Sequence, residues 1–323
     1  MSDVVESTVL TVGEVHTGIL RNSTSVSRAL STQALSLLLG ERVRLFQRPI
    51  AYAVSPDILT GLDCRLPTSS GARVRGIGTA ISHATITGGH VLQGSTYARV
   101  VKSEADRRLP WSHYLSRPGV VETVGKVGRD DLADGFTAAK PSAVDLDLGA
   151  VSGRCMDAVQ VSPGLDRTLP FRPQRTQLRW VAAAGGHGTA DGPVRFTIQT
   201  GTLRTLRLGL GEHDVPTVVA LCEDLALHDW LLTTLLELIE RSRLGAGPQV
   251  QVVTRLRPAI DYLLHLWMPA ARVDRSVLPI WESLERRPGF TRQWEVSVNR
   301  IRDQIAVSAV ALLSAAAAEE KVR

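Results

Sequence analysis

Three kinds of residue are in short supply in this 323-residue chain: cysteine, lysine and the aromatics. Cys64, Cys155 and Cys222 are isolated and odd in number, which gives neither a disulfide framework nor a zinc-binding spacing. Lys102, Lys126, Lys140 and Lys321 are the only lysines, so the basic charge is carried almost wholly by arginine. Aromatics make up 5% of the chain, yet six of them are tryptophan. Trp230, Trp267, Trp281 and Trp294 fall in the last third, which predicts a well-anchored core there. No apolar run reaches the ~20 residues that a membrane span needs. The nearest, 305–318, is Ala-rich and interrupted by Ser308 and Ser314. The opening MSDVVESTVL carries acidic residues and no basic n-region, so no signal peptide is expected and the expected location is cytoplasmic. There is no P-loop, no nucleophile elbow and no paired Cys-x-x-Cys.

What remains is ordinary globular material. The hydrophobic fraction is 44% and the mean hydropathy +0.03, enough to bury two domains or one large one. The formal charge is +5 and the pI near 9.4. The arginines are dispersed, as the codon usage of a GC-rich genome would give, and form no basic block. Nucleic acid is therefore not an expected partner.

Along the chain, 9–12 and 14–20 read as strand, and Asn22 or Ser23 as the cap of a helix with apolar positions Val26, Leu30, Ala34, Leu37 and Leu38. Strands follow at 42–46 and 50–54, with a break at Pro49, and Leu62, Cys64 and Leu66 alternate as on a half-buried strand. ISHATIT-GG-HVLQGSTYARVV is the clearest hairpin, with Gly88-Gly89 as a two-residue turn. An acidic, Gly- and Pro-punctuated stretch from about 129 to 173 holds one short helix near 149–161. A second hairpin pairs 176–184 with 194–200, and 202–210 can add a third strand. From Asp214 the pattern is helical: 214–243, 250–268 with Pro258 inside it, 276–286 and 291–318. The expectation is an α+β protein. Its parts are a β-rich N-terminal domain (1–140) with hairpins and one or two helices, a linker, short helix and hairpin (141–212), and a C-terminal antiparallel helical bundle (213–323).

Two acid–histidine spacings of four residues stand out: Asp224 with His228, and Asp261 with His265. That spacing stacks two side chains on one helical face. On a helical wheel, Glu223, Thr233, Thr234, Glu237 and Glu240 gather on a face expected to be solvated. Asp224 and His228 fall among leucines, with Asp229 at the margin, so they should point into the core. Three readings fit: a buried hydrogen-bonded pair that sets helix register, a metal site completed by Asp261 and His265, or a proton relay. The full candidate ligand set is Asp224, His228, Asp229, Asp261 and His265. On their own helix, Asp261 and His265 share a polar stripe with Gln251, Thr254, Arg255 and Tyr262, which weighs against a meeting with Asp224 unless that stripe lines a cavity.

Smaller motifs lie beside these. ALHDW resembles the His-Asp signature of HD-type phosphohydrolases but lacks that family's continuation. His83-Ala84-Thr85 and His187-Gly188-Thr189 match the His-x-Thr pattern of two-histidine phosphoesterases, although a strand His and Thr facing hairpin neighbours explains the first as well.

Several strings taken together carry a wider resemblance: GEVHTGILRNS, RPIAYAVSPDILTGLDC, SHATITGGHVLQGS, RLPWSHYLSRPG, ALCEDLALHDWLLTTL, RLRPAIDYLLHLWMP and LERRPGFTRQW. In this order the chain resembles, over nearly its whole length, a family of actinobacterial proteins of unknown function. The resemblance implies a cytoplasmic component encoded beside, and working with, other proteins, a variant P-loop protein among them. The functional expectation is a non-enzymatic interaction or regulatory subunit of a multi-protein system, able to form homo-oligomers and needing no cofactor. The alternative is a metal-dependent phosphoester hydrolase that uses a divalent metal at the Asp/His set.

Overall fold

The computed structural model describes residues 8–105, 107–138, 144–183, 194–209, 213–242 and 249–320. Its strands are β1 (Thr8–Ile19), β2 (Arg44–Phe46), β3 (Tyr52–Val54), β4 (Ile58–Leu66), β5 (Val74–Thr87), β6 (Val91–Lys102), β7 (Val120–Val124), β8 (Thr176–Ala183), β9 (Arg195–Ile198) and β10 (Leu203–Gly209). The helices are α1 (Arg28–Leu35), α2 (Trp111–Leu115), α3 (Arg129–Ala138), α4 (Leu148–Gln160), α5 (Val215–Ser242), α6 (Gln249–Tyr262), α7 (Leu278–Arg286) and α8 (Phe290–Glu320). Among the described residues the strands form one mixed sheet in the order β2-β3-β5-β7-β6-β1-β8-β10-β9, with β4 also paired to β5. The protein is thus mixed α and β.

The β5–β6 hairpin forms as the alternation predicts, with one correction. Thr87 pairs with Val91, so the turn has three residues, Gly88, Gly89 and His90. Both glycines have positive φ (59° and 70°), a conformation that side chains with a Cβ resist. The expected second hairpin is rearranged. β10 pairs antiparallel with β9 and parallel with β8, and so lies between them; the 184–193 connection lies outside the described residues. α1 starts later than its periodicity suggests, because Ser27 rather than Asn22 or Ser23 accepts the capping bond from the Leu30 amide.

The expected junction at 140/141 falls on residues outside the described ones, and that at 212/213 lies at their edge. On their far sides the chain continues the same sheet through β8 and β10, and α5 lies on that sheet. One apolar cluster joins Val15, Val91, Trp180 and Leu206 to Leu225, Trp230, Leu256, Trp281 and Trp294. α6 and α8 pack on α5, whose other side meets β1, β6 and β8. This explains α5's composition: from Val218 to Leu235 nearly every residue is buried, and a helix apolar on all sides needs cover on all sides. The expectation that Glu223 and Thr234 face water is corrected for the same reason. Both are buried, at 6% and 2% exposure.

The opposite face of the sheet carries α4, brought close by small residues. A Cβ on Gly94 would lie 2.4 Å from the Ser152 carbonyl oxygen, and one on Gly149 would lie 2.4 Å from a Glu14 carboxylate oxygen. Ser152 Oγ bonds the Glu14 carbonyl and Thr96 Oγ1, which fixes the helix on the sheet. On the α5 side, Gly13 clears room for the Trp180 indole.

Candidate functional site

Where β5 and β6 pass beneath α5, the sheet face is polar rather than apolar. Thr17, His83, Thr85, Thr87, Gln93 and Ser95 are all buried there. Such a face has to be matched by polar groups above it, and α5 supplies Glu223. His83 Nε2 lies 2.6 Å from Glu223 Oε1. The Gln93 amide donates to the Glu223 backbone carbonyl (2.9 Å) and to Thr17 Oγ1 (3.2 Å). The other ring nitrogen, Nδ1, is 3.5 Å from Asp57 Oδ1, a charge contact too long for a strong hydrogen bond.

His83 is therefore held between two carboxylates. Burial disfavours its imidazolium, but Glu223 and Asp57 outweigh that, and the pKa rises to about 9. The same contacts act in return. His83 holds Asp57 below the ordinary carboxylate range. Burial opposes ionisation of Glu223, but His83 and then Arg272 more than offset it and lower its pKa as well.

The pair opens on a cleft of about 240 Å³ lined by Arg44, Tyr52, Asp57, His83, Tyr97 and Arg272, among others. Pro216, Val219 and Ala220 bring the N-terminal turns of α5 to its wall, where the helix dipole favours negative charge. Arg272 lies 4.3 Å above the Tyr52 ring and donates to Thr87 Oγ1 (3.2 Å). It makes no ion pair with a described carboxylate, whereas Arg44 reaches Asp57 at 3.8 Å. Three cations (Arg44, His83, Arg272) thus face two carboxylates (Asp57, Glu223), a net charge of +1. Burial raises the pKa of the Tyr97 phenol to about 12, so it enters the cleft as a neutral hydroxyl.

Arg272 is delivered by a strained turn. Ala270 has φ of 60°, unusual for a residue with a Cβ, and its amide donates to Asp224 Oδ2 at 2.9 Å. Asp224 follows Glu223 in sequence and lies about 100° further round α5. The two neighbours divide the labour: one meets His83 directly, and the other holds the turn that carries Arg272.

The structure places the remaining sequence candidates apart. Asp224 and His228 are fully buried, as their wheel position predicts, with Nδ1 to Oδ2 at 3.5 Å. His228 Nδ1 donates to the Asp224 backbone carbonyl (2.7 Å), and the ring sits edge-on to Trp267 and Trp281 at 5.0 and 5.6 Å. Asp229 pairs with Arg204 at 2.7 Å, and burial holds its carboxyl above the usual range despite that partner. Asp261 is exposed and pairs with Arg257 (3.1 Å), one turn away on α6. His265 is exposed beside His90. Asp261 and His265 therefore do not complete a cluster with Asp224. Among the described residues, no three His, Cys, Asp or Glu side chains are grouped to hold a metal ion. Of the two His-x-Thr motifs, the second lies outside the described residues, while His83 of the first faces α5 rather than only its strand neighbours.

Sequence reasoning missed Glu223, Asp57, Tyr52, Tyr97, Arg44 and Arg272. One signal was available: polar residues at every second position of β5 and β6 (His83, Thr85, Thr87; Gln93, Ser95) on strands otherwise rich in apolar residues. The chain matches no protein-family model, and no curated protein or solved structure is detectably similar to it.

Proposed function

We propose that the protein is a non-enzymatic regulatory subunit that takes up a small anion in the cleft beneath α5 and acts through other proteins. The observation that carries this reading is a fixed imidazolium in the same cleft as Arg272, a cation that makes no ion pair within 4 Å among the described residues. A general base works best with a pKa near the working pH. His83, near 9, is a standing positive charge at neutral pH, suited to binding rather than to proton exchange. The family resemblance supports a cytoplasmic setting with products of neighbouring genes, a P-loop protein among them. In this reading α5 to α8 act as an antiparallel bundle, and the exposed Val296, Val307 and Val310 of α8 offer an apolar contact for a partner or a second copy. Calorimetric titration of the full chain with acetate and inorganic phosphate tests the cleft. Saturable binding that Arg272→Gln removes supports it; no saturable heat with either anion refutes it.

The second reading, a metal-dependent phosphoester hydrolase using Asp224, His228, Asp229, Asp261 and His265, has one supporting observation. Asp224 Oδ1 and His228 Nε2 are buried and have no hydrogen-bond partner among the described residues. Against it, Asp229 and Asp261 are engaged by arginines. Metal analysis of protein purified without chelator separates the two, and stoichiometric transition metal would favour the hydrolase.

A further inference from the structure

Next to the charged cleft lies a second cavity of different chemistry, about 600 Å³ in volume. Val26, Leu45, Ile50, Ile86, Leu266 and Met268 are among its apolar lining residues. It sits where the β2–β3 end of the sheet, the β5–β6 turn, α1 and the segment after α6 converge. Phe46 and Tyr52 line both cavities. Their rings stack at 4.4 Å and 8° between planes, and Phe46 is 41% exposed. One ring pair is therefore the shared wall between an apolar chamber and a cationic one, and Arg272 covers the face of Tyr52 on the charged side.

Small-molecule sites occupy roughly 300–1,000 Å³, largely apolar with a few placed polar groups. The apolar chamber alone falls in that range, and the cleft adds the placed charges. From this juxtaposition we infer that the ligand is an amphiphile: one small anionic head, carboxylate or phosphate, held by Arg272 and Arg44, and an unbranched apolar tail housed beyond the Phe46–Tyr52 pair. The inference rests on the anion-binding reading and specifies its ligand. A bare inorganic anion would fill the cleft and leave the apolar chamber unused. A neutral lipid would leave the net positive charge of the cleft unmatched. Arg28 and His265 also line the apolar chamber, so the orientation of the head needs its own control.

The experiment is a calorimetric comparison on the full chain of acetate, inorganic phosphate, decanoate, decyl phosphate, decanol and decylamine, each below its micellar concentration. Decanoate or decyl phosphate should bind at least tenfold more tightly than its tail-less counterpart, and whichever gains more identifies the head. Decanol and decylamine should bind at least tenfold more weakly than that preferred amphiphile. Met268→Trp, which fills the apolar chamber from a residue 41% exposed, should erase the tail's advantage and leave acetate or phosphate binding intact. Arg272→Gln should remove binding of both long and short anions. Near-UV circular dichroism confirms folding, and Leu45→Ala, at a residue that lines the apolar chamber and not the cleft, is a second variant, expected to change tail affinity and not head affinity. If the long anions bind no better than the short ones, the amphiphile is wrong while the anion site stands. If Arg28→Gln rather than Arg272→Gln abolishes decanoate binding, the head lies at the other end and the inference is overturned. If no anion binds at all, both readings fall.

Discussion

Both faces of the central sheet bury a glutamate–histidine pair, and the two pairs are built differently. On the α4 side, Glu14 meets His16 at 3.1 Å and Arg179 at 3.1 Å, and all three side chains are under 9% exposed. Burial opposes ionisation of Glu14, but His16 and Arg179 outweigh it and lower its pKa. Gly149 lets the helix backbone close directly over the carboxylate. On the α5 side, Glu223 and His83 are as deeply placed, but Asp57 and Arg272 extend the group into an open cleft, and Arg272 has no ion-pair partner among the described residues. The same residue types therefore serve two ends. A sealed cluster whose carboxylate is paired from two sides fixes a helix on a sheet. An open cluster with surplus charge is placed to meet something from outside.

The sharpest way to break this comparison is to remove the carboxylate from each side. Glu14→Gln removes the buried carboxylate that His16 and Arg179 share and should cost about 3–5 kcal/mol in urea unfolding. Glu223→Gln should cost less than half as much, because water reaches the cleft. Equal losses would show that the two clusters do the same work. Closeness of packing comes next. Gly149→Val drives a side chain into Glu14 and should destabilise by about 3 kcal/mol, whereas Phe46→Ala at the cleft wall should change stability by less than about 1 kcal/mol.

The pH dependence follows in size. His83 has a folded pKa of about 9 against 6.5 for the free side chain. A raised pKa contributes stability that is fully present below about pH 6.5 and is lost as pH rises through 9. The loss should be on the order of 3 kcal/mol and should vanish in His83→Gln. The depressed Asp57 and Glu223 act in the opposite sense. Their contribution is present above the ordinary carboxylate range and disappears as pH falls below it. A wild-type profile flat between pH 6.5 and 9 would contradict the clamped imidazolium. The smallest effect belongs to Asp261→Asn. Its partner Arg257 is exposed on the same helix, and the change should stay within about 0.5 kcal/mol.

The sequence carried the local structure well and the assembly poorly. The β5–β6 hairpin was legible from alternation and a glycine pair, and the burial of Asp224 and His228 from their place among leucines. What periodicity could not convey was that α5 is covered on both sides. A wheel divides a helix into one wet and one dry half, and so assigned Glu223 to water. The cleft is also assembled from segments far apart in the chain, with Asp57, His83, Glu223 and Arg272 meeting only through the sheet order. β10 inserted between β8 and β9 is likewise a long-range choice that two neighbouring strand patterns cannot specify. Asp224 shows the remaining difficulty. It was singled out for its histidine neighbour, yet its carboxylate holds the Ala270 turn that presents Arg272.

Nitrogen-15 NMR titration of the histidine rings in the full chain, with and without a saturating anion, bears most directly on the cleft. The account predicts one imidazole, assigned by its loss in His83→Gln, that stays protonated until about pH 9 and shifts when the anion is added. A His83 that titrates near 6.5 and ignores every anion would contradict it.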